Sequence, residues 1–225
     1  MKKIVSIILF LKLFAVYSQE DIMKKDWANL NKYSTENTIL LQKPSTKPIV
    51  LMGDSITEFW KVNDEDFFIS NNLIDRGISG QTTPQMLLRF RQDVIELNPS
   101  KVVILAGIND IAENTGPISL EAVFGNIISM VELARINKID VVLCAVLPSN
   151  AFYWNPSLQP ANKVVALNKL IMGYALKNKI PFVDYYSPMV DSNKGLDRKF
   201  GNDGVHPNLE GYKLMESILL KALNN

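Results

Sequence analysis

The chain has 225 residues, with 24 lysines and arginines against 23 aspartates and glutamates, one histidine and one cysteine. A formal charge of +1 gives no basic field to match a phosphate backbone, which argues against nucleic acid as a partner. One histidine and one cysteine exclude a His-rich zinc site and an intrachain disulfide, so stability must come from a packed core and imidazole chemistry from His206 alone.

In chain order, the sequence begins with a leader. Lys2 and Lys3 form a positive n-region, residues 4–16 are mostly apolar with Lys12 interrupting, and Val16-Tyr17-Ser18 offers a cleavage site before Gln19. An uncleaved anchor is the rival reading, but the apolar stretch is too short to span a bilayer comfortably. No cysteine lies near the cleavage point, so lipid anchoring has no attachment. The expectation is a signal peptide over 1–18 and an exported protein, secreted or periplasmic, with no stable membrane insertion. Residues 19–225 would form one domain with a formal charge of about −2. Residues 19–47 are polar and mixed, with Trp27, Leu30 and Tyr33 spaced to share one helical face.

The uncharged run 49–52 predicts a buried parallel strand that stops at Gly53-Asp54-Ser55. Trp60, on the helix that follows, reads more simply as core than as a ligand contact. Asp64-Glu65-Asp66 reads as a solvated loop rather than a cation site. A short strand covers 73–75. Thr83 is placed to cap a helix opened by Pro84, with Met86, Phe90, Val94 and Leu97 as its stripe and Asn98-Pro99 as its stop. A third strand spans 102–105, and a helical repeat of apolar residues runs from Leu120 to Ala134. The fourth strand, 141–147, buries Cys144 as a small apolar residue. Val164, Leu167, Ile171 and Tyr174 mark a helix, Phe182 and Val183 a short fifth strand, and Pro207 opens a last helix with Tyr212, Met215 and Leu219. Strands alternating with helices require a parallel sheet with right-handed crossovers, a doubly wound α/β domain.

Polar residues cluster where these strands end. Asp203-Gly204-Val205-His206 sets a carboxylate three residues before the only imidazole, so the aspartate can fold back onto Nδ1–H and leave Nε2 facing outward. The same residues could equally cap a helix. Ser55 stands at the carboxyl edge of the first strand, where open α/β sheets build their sites, although a serine there is also a common N-cap. Gly53 would permit a sharp turn and close approach of substrate. In 75–84, glycines can turn backbone N–H groups toward an anion, and Gly107-Ile108-Asn109-Asp110 ends the third strand with a neutral side-chain donor. The elbow Gly-x-Ser-x-Gly, the phosphate loop and the dinucleotide fingerprint are all absent.

Together these segments resemble the consensus blocks of the SGNH hydrolases, the GDSL esterase/lipase family. The matching strings are Gly53-Asp54-Ser55, Gly77-Ile78-Ser79-Gly80, Gly107-Ile108-Asn109-Asp110 and Asp203-Gly204-Val205-His206, spread over residues 48–225. One departure is Ile56-Thr57, where the family name has leucine. The resemblance implies Ser55 as nucleophile, His206 as general base and acid, and Asp203 as its orienting carboxylate. It implies an oxyanion hole from the backbone N–H groups of Ser55 and Gly80 and the side chain of Asn109. It also implies a flavodoxin-like strand order, 2-1-3-4-5, with helices on both faces. No cofactor or metal is expected. The longer strings around Gly80 and His206 look like the branch near platelet-activating-factor acetylhydrolase subunits and bacterial carbohydrate O-acetyl esterases.

The substrate expected is a short acyl ester, most plausibly acetyl, on a carbohydrate or other small alcohol. No long apolar segment follows the leader, as a membrane-working lipase would want. Asp54 and Trp154 are candidate substrate contacts, Trp154 lying in the aromatic loop 148–156 that should overhang the Ser55 edge. Phe152 and Tyr153 in that loop could instead pack it down. Phospholipid or lysophospholipid hydrolysis is the alternative chemistry. A non-catalytic carbohydrate-binding protein of this fold would be expected to have lost Ser, Asn or His, and all three are present.

Overall fold

The computed structural model describes residues 26–43 and 46–223, so the expected signal peptide lies outside the described residues. Five strands form one all-parallel sheet of order β2-β1-β3-β4-β5. They are β1 (Ile49–Gly53), β2 (Leu73–Gly77), β3 (Lys101–Ile104), β4 (Asp140–Cys144) and β5 (Phe182–Val183). Leu51 pairs with Asp75 on one side and Val103 on the other, Val103 pairs with Val142, and Cys144 pairs with Val183. Beyond Lys101 and Asp140 at their starts, the central strands β1, β3 and β4 are uncharged because both faces are covered, and Val50, Met52, Val102 and Val142 are wholly buried.

The helices are α1 (Ser34–Leu41), α2 (Ser55–Asn63), α3 (Glu65–Ser70), α4 (Thr83–Asp93), α5 (Ile108–Ile111), α6 (Leu120–Ile136), α7 (Ala161–Lys177), α8 (Tyr186–Met189) and α9 (Leu209–Leu223). Neighbouring helices α4, α6 and α7 pack side by side, while α2 packs with α3 and α9. Right-handed crossovers put these two groups on opposite faces. Trp60 is indeed core: its indole stacks between Phe67 at 5.6 Å and Tyr212 at 5.8 Å and donates to Glu216 Oε1 at 3.3 Å. Tyr212 donates its hydroxyl to the carbonyl of Ile56 at 3.0 Å. This cluster fixes the helix that begins at Ser55.

Several local expectations change. Trp27, Leu30 and Tyr33 lie in consecutive turns before α1 rather than on one helix, and only Tyr33 is buried. Thr82, rather than Thr83, caps α4, in a reciprocal capping box with Gln85. That helix stops at Asp93 and continues as a single 3₁₀ turn (Ile95–Leu97), with Asn98 left-handed. β4 ends at Cys144, three residues short of the apolar run. Asp64-Glu65-Asp66 opens α3 instead of forming a loop: Asp64 caps the helix through the N–H of Phe67 at 3.1 Å.

Candidate active site

β1 delivers Ser55 to the sheet edge and the α2 start holds it there. Asp54 is the N-cap: its Oδ1 accepts from the N–H of Ile56 at 3.0 Å, leaving Ser55 as the first helical residue. Gly53 is required by close approach rather than by a special turn, since a Cβ there would fall 2.0 Å from Thr57 Oγ1.

The loop carrying Asp203 and His206 is closed by an antiparallel bridge between Gly201 and Pro207, just before α9. Within it, Asp203 Oδ1 accepts from the N–H groups of Val205 at 2.9 Å and His206 at 2.7 Å. Asp203 Oδ2 lies 2.7 Å from His206 Nδ1, and His206 Nε2 lies 2.9 Å from Ser55 Oγ. Partial burial pushes the Asp203 carboxyl up, but the hydrogen bonds from the His206 backbone and ring and from Val205 outweigh it and hold the group below the usual carboxylate range. An ionised Asp203 can only accept, so Nδ1 donates to it, and Nε2 is the ring nitrogen that faces the serine. An imidazole held in this way can take the hydroxyl proton and return it.

Gly80, in the left-handed region at φ 77°, and Asn109, on α5, come together on the same edge. Asn109 Nδ2 donates to the carbonyl of Gln81 at 3.2 Å. Its Oδ1 accepts from Asn114 Nδ2 at 2.8 Å, and the same amide reaches the carbonyl of Gly80 at 3.2 Å. Asn114 thus orients the Asn109 amide and ties it to the glycine loop. Asp110 accepts from the Thr83 hydroxyl at 2.6 Å and backbone N–H at 2.9 Å, which joins α5 to the start of α4.

Of the two expected substrate contacts, Asp54 is 1% exposed, beneath the α2 start. Burial pushes its carboxyl up to about 7, against the opposing pull of the Ile56 N–H and the nearby His206. Trp154 is 40% exposed, stacked on buried Phe152 at 5.0 Å and met edge-on by Tyr153 at 4.7 Å. Phe152 packs the loop down while Tyr153 and Trp154 stay open.

Three neighbours were not legible as site residues. The Phe59 ring lies 5.3 Å from the His206 imidazole. Glu58 accepts from the N–H of Ser79 at 2.7 Å and from its hydroxyl at 2.6 Å. Asn114 is the third. The i+3 and i+4 spacing of Glu58 and Phe59 from Ser55 was a usable signal for the first two. Among the described residues no group of three or more His, Cys, Asp or Glu is placed to hold a metal ion, and no helix is long and apolar enough to cross a membrane.

Comparison with known proteins identifies the family and the fold. Residues 51–214 match the family model of the GDSL-like lipase/acylhydrolase family. An acylhydrolase structure from Bacteroides fragilis is 54% identical, with TM-score 0.87, covering 89% of this chain and 98% of that one. A GDSL-like lipase structure from Bacteroides thetaiotaomicron is 50% identical, with TM-score 0.86, covering 88% and 98%. Esterase TesA of Pseudomonas aeruginosa is 25% identical over 194 residues, 80% of this chain and 90% of that protein. With the strand order, the carboxyl-edge serine and the family match in agreement, the chain belongs to the GDSL-like lipase/acylhydrolase family and is a carboxylic ester hydrolase.

Proposed function

We propose that the protein is an exported serine esterase that removes short acyl groups, acetyl above all, from a carbohydrate alcohol. The observation that carries this reading is the unbroken relay from Ser55 Oγ through His206 to Asp203, at 2.9 and 2.7 Å. Ser55 Oγ attacks the ester carbonyl while His206 Nε2 takes its proton. The oxyanion that develops is held by the N–H groups of Ser55 and Gly80 and by Asn109 Nδ2, which turns from the Gln81 carbonyl it meets at 3.2 Å. His206 then protonates the leaving alcohol, and water activated by the same imidazole releases the acyl group. Asp203 keeps the imidazole in the productive tautomer and stabilises its charge.

The short loops at the sheet edge, rich in Gly, Asn and Thr, favour a small acyl group, and the leader composition favours export. The test is hydrolysis of p-nitrophenyl acetate by purified protein. Wild type is expected to turn over with an acyl-enzyme burst, and Ser55→Ala is expected to lose at least about 10⁴-fold in kcat. Retention of most activity in Ser55→Ala would remove the assignment.

A further inference from the structure

Asp203 also borders a second space. The loop after β4 and the segment between α8 and α9 enclose a cleft of about 510 Å³, within the size range of small-molecule sites. Asn150 joins its walls by donating to the carbonyl of Asn193 at 3.3 Å. It lies flat on Gly195, where a Cβ would come within 2.8 Å of the amide. Asp191 and Arg198 face the same space, as do Asn202 and Tyr153. Asp191 Oδ1 is occupied by the N–H groups of Asn193 and Gly195, at 2.8 and 2.7 Å, so Oδ2 is its accepting atom for a ligand. The side chains of Arg198 and Asn202 make no hydrogen bond or ion pair with another described residue. Tyr153 is 68% exposed, yet its ring is braced by Trp154 and through it by buried Phe152.

We propose that this cleft is a subsite for the alcohol portion of the ester and that it takes a neutral oligosaccharide. The assignment rests on the esterase reading above, because Asp203 is shared between the relay and the cleft wall. Adjacent sugar hydroxyls can donate to Asp191 Oδ2 and to amide oxygens while accepting from the Arg198 fork and amide N–H groups. Tyr153 offers a rigid apolar face to the C–H side of a ring. An acyl chain in this space would leave those polar groups without partners. A phosphate headgroup is disfavoured too, since one guanidinium stands against the two carboxylates of Asp191 and Asp203.

The test separates binding from chemistry. Ser55→Ala protein is titrated calorimetrically with unacetylated xylotriose, cellotriose and glycerophosphocholine, then again with Arg198→Ala or Tyr153→Ala added. One of the trisaccharides is expected to bind, more tightly than glycerophosphocholine, and each added substitution should weaken it by about tenfold, the loss of one charge-assisted or stacking contact. Both side chains are exposed, so the variants should keep the parent Tm, and circular dichroism checks that. No trisaccharide binding, binding that neither substitution weakens, or tighter binding of glycerophosphocholine would each overturn the subsite, even with Ser55-dependent esterase activity intact. Trisaccharide binding with the expected losses, but p-nitrophenyl acetate hydrolysis that survives Ser55→Ala, would keep the cleft as an oligosaccharide site while overturning the catalytic reading and the assignment of the cleft to the alcohol portion of the ester.

Discussion

In the mechanism we propose, Ser55, His206 and Asp203 share one proton path, so their removal should not be additive. His206→Ala is expected to cost kcat about as much as Ser55→Ala, and the double variant little more than either, since each alone stops the same step. Single-turnover rates with p-nitrophenyl acetate measure this, and a double variant far slower than both singles would mean two independent routes. Asp54 sits against this trio with a different physics. It caps α2 from a site where burial pushes its carboxyl up to about 7, so its charge there is costly. With the folded value above the unfolded one, the native state holds an extra proton between about pH 4 and 7. The contribution is fully present below that window and is lost as pH rises through the folded value. Asn also caps well and carries no charge to bury. Asp54→Asn should therefore match wild type near pH 4 and be more stable at pH 8, by at most about 4 kcal/mol. Denaturant midpoints across that range test it, and a difference that does not grow with pH would show that Asp54 ionises freely.

Elements place these residues, and here the sequence was only partly readable. Apolar runs ending in polar residues located β1, β3 and the sites at their ends, because burial writes an unmistakable pattern. The segment 26–33 was misread because what holds it is tertiary. Side-chain amides of Gln81, Gln85 and Gln92 donate to the carbonyls of Ala28, Trp27 and Leu30 at 2.7, 2.7 and 2.6 Å. No periodicity announces an amide meeting a carbonyl 53 residues away, as Gln81 does. The Tyr33 hydroxyl reaches Gly77 and Asp75, and Lys32 pairs with Glu58. The segment thus straps the loop 77–82 that carries Gly80. Glu58 would link this strap to the proposed catalysis: it rides on the helix of Ser55 and grips Ser79, the neighbour of Gly80. Burial works against its charge, but the hydrogen bonds from Lys32 and Ser79 prevail and hold the carboxyl below the usual range, so it is ionised at neutral pH. Glu58→Ala should loosen the Gly80 N–H relative to Ser55 and lower kcat by about 10- to 100-fold, with a smaller change in KM, as misplacement in a preorganised site does. Glu58→Gln keeps an acceptor for Ser79 and should recover part of the loss. Equal falls in Tm and kcat, unrelieved by Gln, would assign Glu58 a structural role only.

At the scale of the whole molecule, the sheet edge decides what ester can enter. β1 reaches Gly53 and β3 ends at Ile104, and the turns that follow pass into α2 and α5 within a few residues. No described insertion there is long and apolar enough to make a lid. One apolar group beside His206 is Phe59, 39% exposed and tilted at 48° to the imidazole ring. The loops after β2 and β3 contribute polar groups instead, with Asn114 joined to Asn109 and to the carbonyl of Gly80. Each methylene of an acyl chain gains about 0.8 kcal/mol only if it is removed from water. One aromatic edge covers a few carbons, after which further methylenes stay solvated and contribute nothing to transition-state binding. Acetyl and propionyl p-nitrophenyl esters should therefore give the highest kcat/KM, with octanoyl lower by tenfold or more, since ordering a longer chain costs entropy that no wall repays. The series from two to twelve carbons, kept below micelle-forming concentrations, reads this directly. A maximum at eight carbons or beyond would require an apolar channel at the Ser55 edge and would turn the preference from carbohydrate acetyl esters to lipids.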